Sequence, residues 1–414
     1  MAAQTLGIVA DDLTGAMDSS GYFASRGFST VVVLAPGFPA TVDVVVITTN
    51  SRAEDPSTAS EKVRQAVRSL AGRVVYKKID STLRGNIGVE LEAAMEELAC
   101  KKAIVAPAFP AVGRTTVNGV LLVNEVGVAE TQFANDPISL VKESHIPSLL
   151  GQTTRCRVGC VGVEHINRGP ESLYREISGM PQDIVVCDVT AQSHLTCIVQ
   201  AAALAKGCWL LCGSGGLARQ LHLFLTEAPG RPSRVKPSSL LSGPALVVVG
   251  TRNQVAANQL LKARDELGLP ILNLKVERLN QESALSKEVK SILQEADRLL
   301  NQGRGLALSS TFSRYVPALK RSIPTVMAEA VAGILATRKF AGLFLCGGDI
   351  AVEVCRRLSV SAIWVHGEVE PGVPIGELVS CQGPRMRVVT KAGGFGTEAV
   401  LIKSISYLEK GYLP

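Results

Sequence analysis

The sequence predicts an α/β chain of two domains, each built on a mostly parallel sheet, with an active-site cleft expected between them. Three observations carry that prediction. Short apolar, β-rich runs alternate with helical periodicity. At 414 residues the chain is long for one core, since single domains usually hold about 100–200 residues. One Pro- and Ser-rich stretch breaks the pattern mid-chain.

In the first half, strands are expected at Leu6–Ala10, Thr30–Leu34, Val42–Thr48, Val74–Tyr76, Ala103–Ala106, Ile184–Val189 and Trp209–Cys212. Between several of them, segments such as STASEKVRQAVRSLAG and GVELEAAMEELACKK repeat apolar residues at three- and four-residue steps, the mark of amphipathic helices. The stretch TEAPGRPSRVKPSSLLSG, Thr226–Gly243, has no sustained periodicity and reads as a linker. Beyond it, strands are expected at Ala245–Val249, Ile271–Leu274, Gly305–Ser309, Gly342–Cys346 and Arg387–Thr390. The expected division is residues 1–228, a linker at 229–243, and residues 244–414.

Composition narrows the function classes. Apolar residues make up 46%, charged residues 19% and aromatic residues 4%, the profile of a folded chain rather than a disordered one. The net charge of +6 is scattered, with no basic tract and no interleaved aromatics, so it favours small anionic ligands over nucleic acid. The apolar runs are far shorter than the ~20 residues a membrane span needs, and MAAQTLGIVADD carries no signal-peptide pattern. A cytoplasmic location and no membrane partner are therefore expected; homo-oligomerisation is allowed by the sequence and not specified by it. Ten cysteines sit mostly in apolar runs and are expected to act as small buried hydrophobes. No cysteine–histidine spacing completes a zinc site, and metal ligands are left unassigned.

Polar chemistry gathers where strands should stop. In IVADDLTGAMD, Asp11 and Asp12 end the first strand, and adjacent carboxylates there call for a cation, a donor or a substrate hydroxyl; helix capping by one of them is the plainer alternative. Asp18 is expected to be a solvated first-turn acid. TTNSRAED offers Arg52, suited to a planar carboxylate or to a surface ion pair. YKKIDSTLRGNIG supplies Lys77, Lys78, Asp80, Ser81, Thr82, Arg84 and Asn86, more charge than capping explains. APAFPAVGRTTVNG is a long turn carrying Arg114, readable as a lid or as a fixed wall. In the second half, VVVGTRNQ, FLCGGDIAVEV and VVTKAGGFGTEAV run strands into glycine turns, where backbone N–H groups and helix N-termini suit phosphate. All three are expected on one sheet edge, and none is a P-loop or a GxGxxG fingerprint.

Together, IVADDLTGAMD, TTNSR, YKKIDSTLRGNIG, APAFPAVGRTTVNGVLLVNEVGVAETQFANDP, CGSGGLA, CGGD, EPGVP and KAGGFG resemble the four-carbon acid sugar kinase family from residue 8 to about residue 398. Within it, KKIDSTLRGN is more similar to the D-threonate kinase branch than to the 3-oxo-tetronate kinase branch. The resemblance implies an N-terminal sugar-acid domain and a C-terminal ATP domain. It also implies transfer of the γ-phosphoryl group of ATP, with Mg²⁺, to the terminal hydroxyl of a four-carbon acid. D-threonate is the first expectation, with D-erythronate and 3-oxo-tetronate as alternatives.

Carried over by motif, Asp11 or Asp12, Arg52, Lys78, Ile79, Asp80 and Ser81 would meet the sugar acid; the residue types themselves add Arg84 and Arg114, and leave Asp80 or one of the Asp11/Asp12 pair, Asp12 first, as catalytic base. Arg52 is expected to clamp the carboxylate. ATP would meet Thr251, Arg252 and Asn253, then Gly347, Gly348, Asp349 and Ile350, then Ala392, Gly393, Gly394, Phe395 and Gly396. This chain departs from the family where GSxS is GTRN, GGET is GGDI and KSGNFG is KAGGFG; backbone donors survive those changes and hydroxyls are lost. Two other classes stay open: a sugar-acid sensor without turnover, and a nucleotide-dependent hydroxy-acid oxidoreductase, against which the missing fingerprint counts.

Overall fold

A computed structural model describes residues 4–35, 41–135, 140–225, 242–279, 282–301, 305–314, 316–319, 321–380 and 385–411. The expected linker lies almost wholly outside them. By packing, the chain divides into one unit of Met1–Ser19 with Pro39–Gly230 and a second of Ser20–Phe38 with Arg231–Pro414.

The N-terminal sequence runs β1 (Leu6–Ala10), α1 (Leu13–Ser25), β2 (Thr30–Val33), β3 (Val44–Thr48), α2 (Pro56–Arg68), β4 (Val74–Lys78), α3 (Ile87–Glu97) and β5 (Lys102–Ala106). Three short strands follow, β6 (Arg114–Val117), β7 (Val120–Val123) and β8 (Val126–Gly127). Then come α4 (Ile146–Gly151), β9 (Val158–Val161), α5 (Val163–Ile166), α6 (Pro170–Gly179), β10 (Ile184–Cys187), α7 (Gln192–Ala203), β11 (Trp209–Gly213) and α8 (Gly215–Ala218).

In the first unit the sheet order is β3-β1-β4-β11-β5-β10-β9, all parallel. Helices cover such a sheet, and two of its strands are apolar throughout: LGIVA in β1 and IVVC in β10 are buried at every position. The helices show why they form. Asp55 caps α2 by accepting from the Thr58 N–H at 3.0 Å, Pro56 pre-sets its first turn, and Ala59, Val63, Ala66 and Val67 make its buried stripe. Strands β6, β7 and β8 form a separate antiparallel sheet, so the APAFPAVGRTTVNG segment is a hydrogen-bonded wall rather than an open loop. Asp188 fastens its tip by accepting from Asn118 N at 2.6 Å and Gly119 N at 2.8 Å.

The second unit contains β12 (Ala245–Val249), α9 (Gln254–Leu267), β13 (Ile271–Asn273), α10 (Glu282–Leu300), β14 (Leu306–Ser309), α11 (Ser322–Thr337), β15 (Gly342–Cys346) and α12 (Gly348–Arg357). It closes with β16 (Val360–Glu370), β17 (Val373–Ser380), β18 (Met386–Lys391) and α13 (Val400–Lys410). Strands β13-β14-β12-β15-β18 are parallel, and β17, β16 and β2 extend the sheet antiparallel. The strand at Thr30, read from sequence among the first-half strands, pairs antiparallel with β16 and groups with the second unit. Its run TVVV is buried at every position and needs a partner strand wherever one is offered.

The cysteines divide. Cys187, Cys212, Cys346 and Cys355 are buried thiols, and Cys156, Cys160 and Cys197 are half-buried. Cys100 and Cys208 are joined as a disulfide rather than being the separate apolar fillers expected. Among the described residues no helix is long and apolar enough to cross a membrane.

Candidate functional site

Open parallel sheets bind ligands beyond the carboxyl ends of strands, at the point where successive connections leave in opposite directions. In the first unit that point is β1, flanked by β3 and β4, with Ala10 in register with Thr48 and Lys78. Asp11–Asp12, Ser51–Arg52 and Asp80–Arg84 all emerge there.

The structure gathers these side chains into one cluster. Arg52 grips Asp11 two-pronged, Nε to Oδ2 at 2.7 Å and NH2 to Oδ1 at 2.9 Å, and donates NH1 to Asp12 Oδ2 at 2.9 Å. Its NH2 also stands 4.0 Å from Asp80. Arg84 binds Asp80 two-pronged at 2.8 and 3.1 Å, and the Thr82 hydroxyl donates to the same carboxylate. Asp12 accepts the Gly15 N–H at 2.8 Å, so it caps α1 and faces Arg52 at once. A Cβ at Gly15 would lie 2.7 Å from Asp12 Oδ1 and 3.0 Å from Lys78 Nζ, so a side chain there would displace these groups. Gly85, at φ +100°, lets the chain turn close against Arg52 and Asp11.

Burial alone would raise Asp11 and Asp80 towards the neutral acid, but the guanidinium groups outweigh it. Arg52 holds Asp11 below its ordinary value, and Arg84 with Arg52 holds Asp80 well below its own. Burial would weaken the Arg52 charge as well, yet Asp11 and Asp12 raise its pKa well above the usual arginine value.

Beneath the cluster lies a pair that sequence reading missed. Lys77 Nζ meets Glu90 Oε2 at 2.7 Å with both side chains sealed from solvent, and the Ser51 hydroxyl donates to Glu90 Oε1 at 2.6 Å. Ser51 N and Arg52 N in turn donate to Asp11 O at 3.0 and 3.3 Å. The signal was present in α3, where Glu90 falls on the stripe of Ile87, Leu91, Ala94 and Met95, a place for an apolar residue.

The other expected residues fall as follows. Lys78 Nζ donates to Ile79 O at 2.9 Å, and Ile79 is buried. Arg114 donates NH1 to the Ser81 hydroxyl. Asp18 is not the solvated acid expected: its side chain is 14% exposed and lies 3.6 Å from Arg219.

In the second unit the strand order places the corresponding point at β12 and β15. The register pairs Val249 with Cys346 and Cys346 with Lys391, so all three glycine turns share one edge, as expected. Asn253 caps α9 by accepting Val255 N at 2.9 Å, and Gly347, at φ +112°, leads into α12. Gly393 packs so closely on the first turn that a Cβ would lie 2.6 Å from Thr251 Oγ1, and Gly250 is likewise hemmed in by Ile350. Lys391 was not expected to matter, yet its ammonium binds Ala392 O, Gly393 O and Phe395 O at 2.8–2.9 Å and so shapes the AGGF turn. Gln259 adds donors to Phe395 O, Gly396 O and Thr397 O. With those carbonyls tied back and Phe395 N donating to Ala392 O at 3.2 Å, the N–H groups of Gly393 and Gly394, which have no partner among the described residues, are left to meet an anion. The cradle and the N-termini of α9 and α12 fit a phosphate chain. Among the described residues, no group of three or more His, Cys, Asp or Glu is placed to hold a metal ion.

Comparison with known proteins finds two family matches. Residues 6–221 match the family model of a sugar-binding N-terminal domain, and residues 246–401 that of a nucleotide-binding C-terminal domain. A Salmonella typhimurium D-threonate kinase is 33% identical, with 98% of each chain covered. A Heliobacterium modesticaldum D-erythronate kinase is 28% identical, covering 97% of this chain and 96% of its own. A Methylobacterium radiotolerans 3-oxo-tetronate kinase is also 28% identical, covering 94% and 96%. A crystal structure from Salmonella typhimurium LT2 shares the fold at a TM-score of 0.80 and 23% identity, covering 97% of this chain and 98% of that one. The chain pairs a sugar-binding with a nucleotide-binding domain. It belongs to the four-carbon acid sugar kinase family.

Proposed function

We propose that the chain is an ATP-dependent kinase that phosphorylates the terminal, C4 hydroxyl of a four-carbon sugar acid, with D-threonate as its substrate. The observation that carries this reading is the carboxylate–guanidinium cluster at the ends of β1, β3 and β4, which lies in the segment matching a sugar-binding domain. Carboxylates fixed in their charged form accept hydrogen bonds from substrate hydroxyls, and guanidinium groups suit the acid function. D-threonate is preferred over D-erythronate and 3-oxo-tetronate because the relative named for it is more similar, at 33% against 28%.

Phosphoryl transfer asks the protein for alignment and charge neutralisation. Asp12 is assigned the role of orienting and deprotonating the attacking hydroxyl. It shares its oxygens with one arginine N–H and one backbone N–H. Asp80 is committed to Arg84, the Thr82 hydroxyl and two backbone N–H groups, and its lowered pKa makes it a weak base, so it holds a hydroxyl rather than taking its proton. Arg84 and Lys78 neutralise charge near the reacting group. The turns at Thr251–Asn253, Gly347–Ile350 and Ala392–Gly396 hold the nucleotide phosphates through backbone donors. Magnesium, if it entered with the nucleotide, would supply further phosphate neutralisation and would need few protein groups to hold it, as is usual for this ion. The partners are small molecules, and a cytoplasmic setting belongs to the same reading.

The test is ADP release by the purified chain with ATP and Mg²⁺ over D-threonate, D-erythronate and 3-oxo-tetronate. D-threonate is expected to give the highest kcat/KM. Binding of an acid without ADP release would make the chain a sensor. A hydroxy-acid-dependent NAD(H) absorbance change would make it an oxidoreductase.

A further inference from the structure

The three arginines of the sugar-acid cluster are not equally engaged. Arg52 spends three N–H donors on Asp11 and Asp12, and Arg84 spends its fork on Asp80. Arg114 differs. Among the described residues its guanidinium makes one hydrogen bond, from NH1 to the neutral Ser81 hydroxyl; its Nε is buried without a hydrogen-bond partner, and no carboxylate pairs with it. Buried charges are normally paired, because an unpaired one keeps its full desolvation cost. Burial accordingly lowers the Arg114 pKa, with Asp80 and Asp18 pulling it back up and Arg84 adding to the fall.

The backbone behind this side chain is held by hydrogen bonds. Arg114 begins β6 at the end of a tight loop, with Phe109 N donating to Arg114 O at 2.8 Å, Arg114 N to Phe109 O at 3.2 Å and Asn124 N to Gly113 O at 2.7 Å. A planar fork fixed in position and lacking an acid is what a ligand carboxylate requires. Ser81 completes the seat: its oxygen accepts from Arg114, and its hydroxyl proton has no acceptor among the described residues.

We infer that Arg114, with Ser81, anchors the carboxylate of the sugar acid, and that Arg52 orders Asp11 and Asp12 instead of clamping that carboxylate. This inference rests on the sugar-acid kinase reading and refines it. Ser81 adjoins Asp80 in the chain, so a carboxylate seated here leaves the hydroxyl-bearing carbons for Asp80 and Asp12. Preference for acids over neutral polyols would then reside in β6 rather than in the TTNSR turn.

The experiment uses the four-carbon acid that gives the fastest ADP release, together with its neutral amide. Calorimetry without nucleotide measures the affinity of each for the wild type, Arg114→Gln, Arg114→Lys and Arg52→Gln. Arg114→Gln is expected to bind the acid about 100-fold more weakly and the amide within about 2-fold of the wild type, as befits one charge-assisted bidentate contact. Arg114→Lys should lose about 10-fold for the acid only, since it keeps the charge and loses the fork. Arg52→Gln should weaken acid and amide alike. An unchanged KM for ATP in Arg114→Lys shows that the fold is intact. Equal loss for acid and amide in Arg114→Gln, or no loss for either, overturns the inference while the kinase reading stands. If the wild type releases no ADP with any four-carbon acid, both fall together.

Discussion

Replacing Lys77 with Met exposes what the buried pair beneath the site contributes. Lys77 and Glu90 are 0% and 1% exposed and 2.7 Å apart. Burial would lower the lysine pKa, but Glu90 and Asp11 raise it, so Lys77 keeps its charge. Removing the ammonium leaves a carboxylate in the interior with the Ser51 hydroxyl, 2.6 Å away, as its donor. Breaking a buried pair in this way costs about 3–5 kcal/mol, whereas exchanging both members for apolar groups is often neutral. For a folding unit of this size each kcal/mol moves Tm by about 2–4 °C. Lys77→Met should therefore unfold about 6–20 °C below the wild type, and Lys77→Met with Glu90→Leu should recover most of that loss. Thermal unfolding followed by circular dichroism at neutral pH measures both. The double variant should regain stability without regaining turnover, because Ser51 has lost the carboxylate that fixes it beside Arg52. A single variant within about 2 °C of the wild type, or a double variant as unstable as the single, would refute the reasoning.

Three further outcomes follow from the same geometry. Asp12→Asn should reduce kcat by about 10²–10⁴-fold with the fold intact, while Asp80→Asn should act mainly on KM for the acid; steady-state kinetics separate the two, and near-normal kcat in Asp12→Asn rejects it as the base. Asp11 and Asp80 are both held below the ordinary value of 3.8, so each contributes stability that is complete above that value and is lost as pH falls through the lowered folded values. Unfolding temperature should accordingly be level from about pH 7 to 5 and fall below about pH 4, with a shallower acid limb in Asp80→Asn. Gly393→Ala would press a methyl group 2.6 Å from Thr251 Oγ1, so KM for ATP should rise at least about 10-fold while calorimetric affinity for the acid is unchanged.

Much of the architecture was legible because parallel strands buried on both faces are written as continuous apolar runs. Strands β1, β5, β11 and β15 occur almost where those runs lie. The β16–β17 hairpin was not expected: its register shifts between Val360 and Ala362, and between Val365 and Gly367, break the alternation that marks an exposed strand. Nor could local sequence assign β2 to β16, since TVVV satisfies any apolar neighbour. At the site, the residues at strand ends were legible because their chemistry is out of place after an apolar run. Partners were not. Glu90, Lys391 and Gln259 act by reaching residues fixed by tertiary packing, and Arg114 stands out by what it lacks, which no spacing encodes.

The central claim is transfer of a phosphoryl group to a particular oxygen, and product identification by phosphorus and carbon NMR tests it most directly. The account predicts that D-threonate with ATP and Mg²⁺ yields one phosphomonoester at C4, with one ADP formed per ester. ATP hydrolysed to ADP and inorganic phosphate with the acid recovered unchanged, or a phosphoryl group on C2, C3 or the carboxylate, would contradict it.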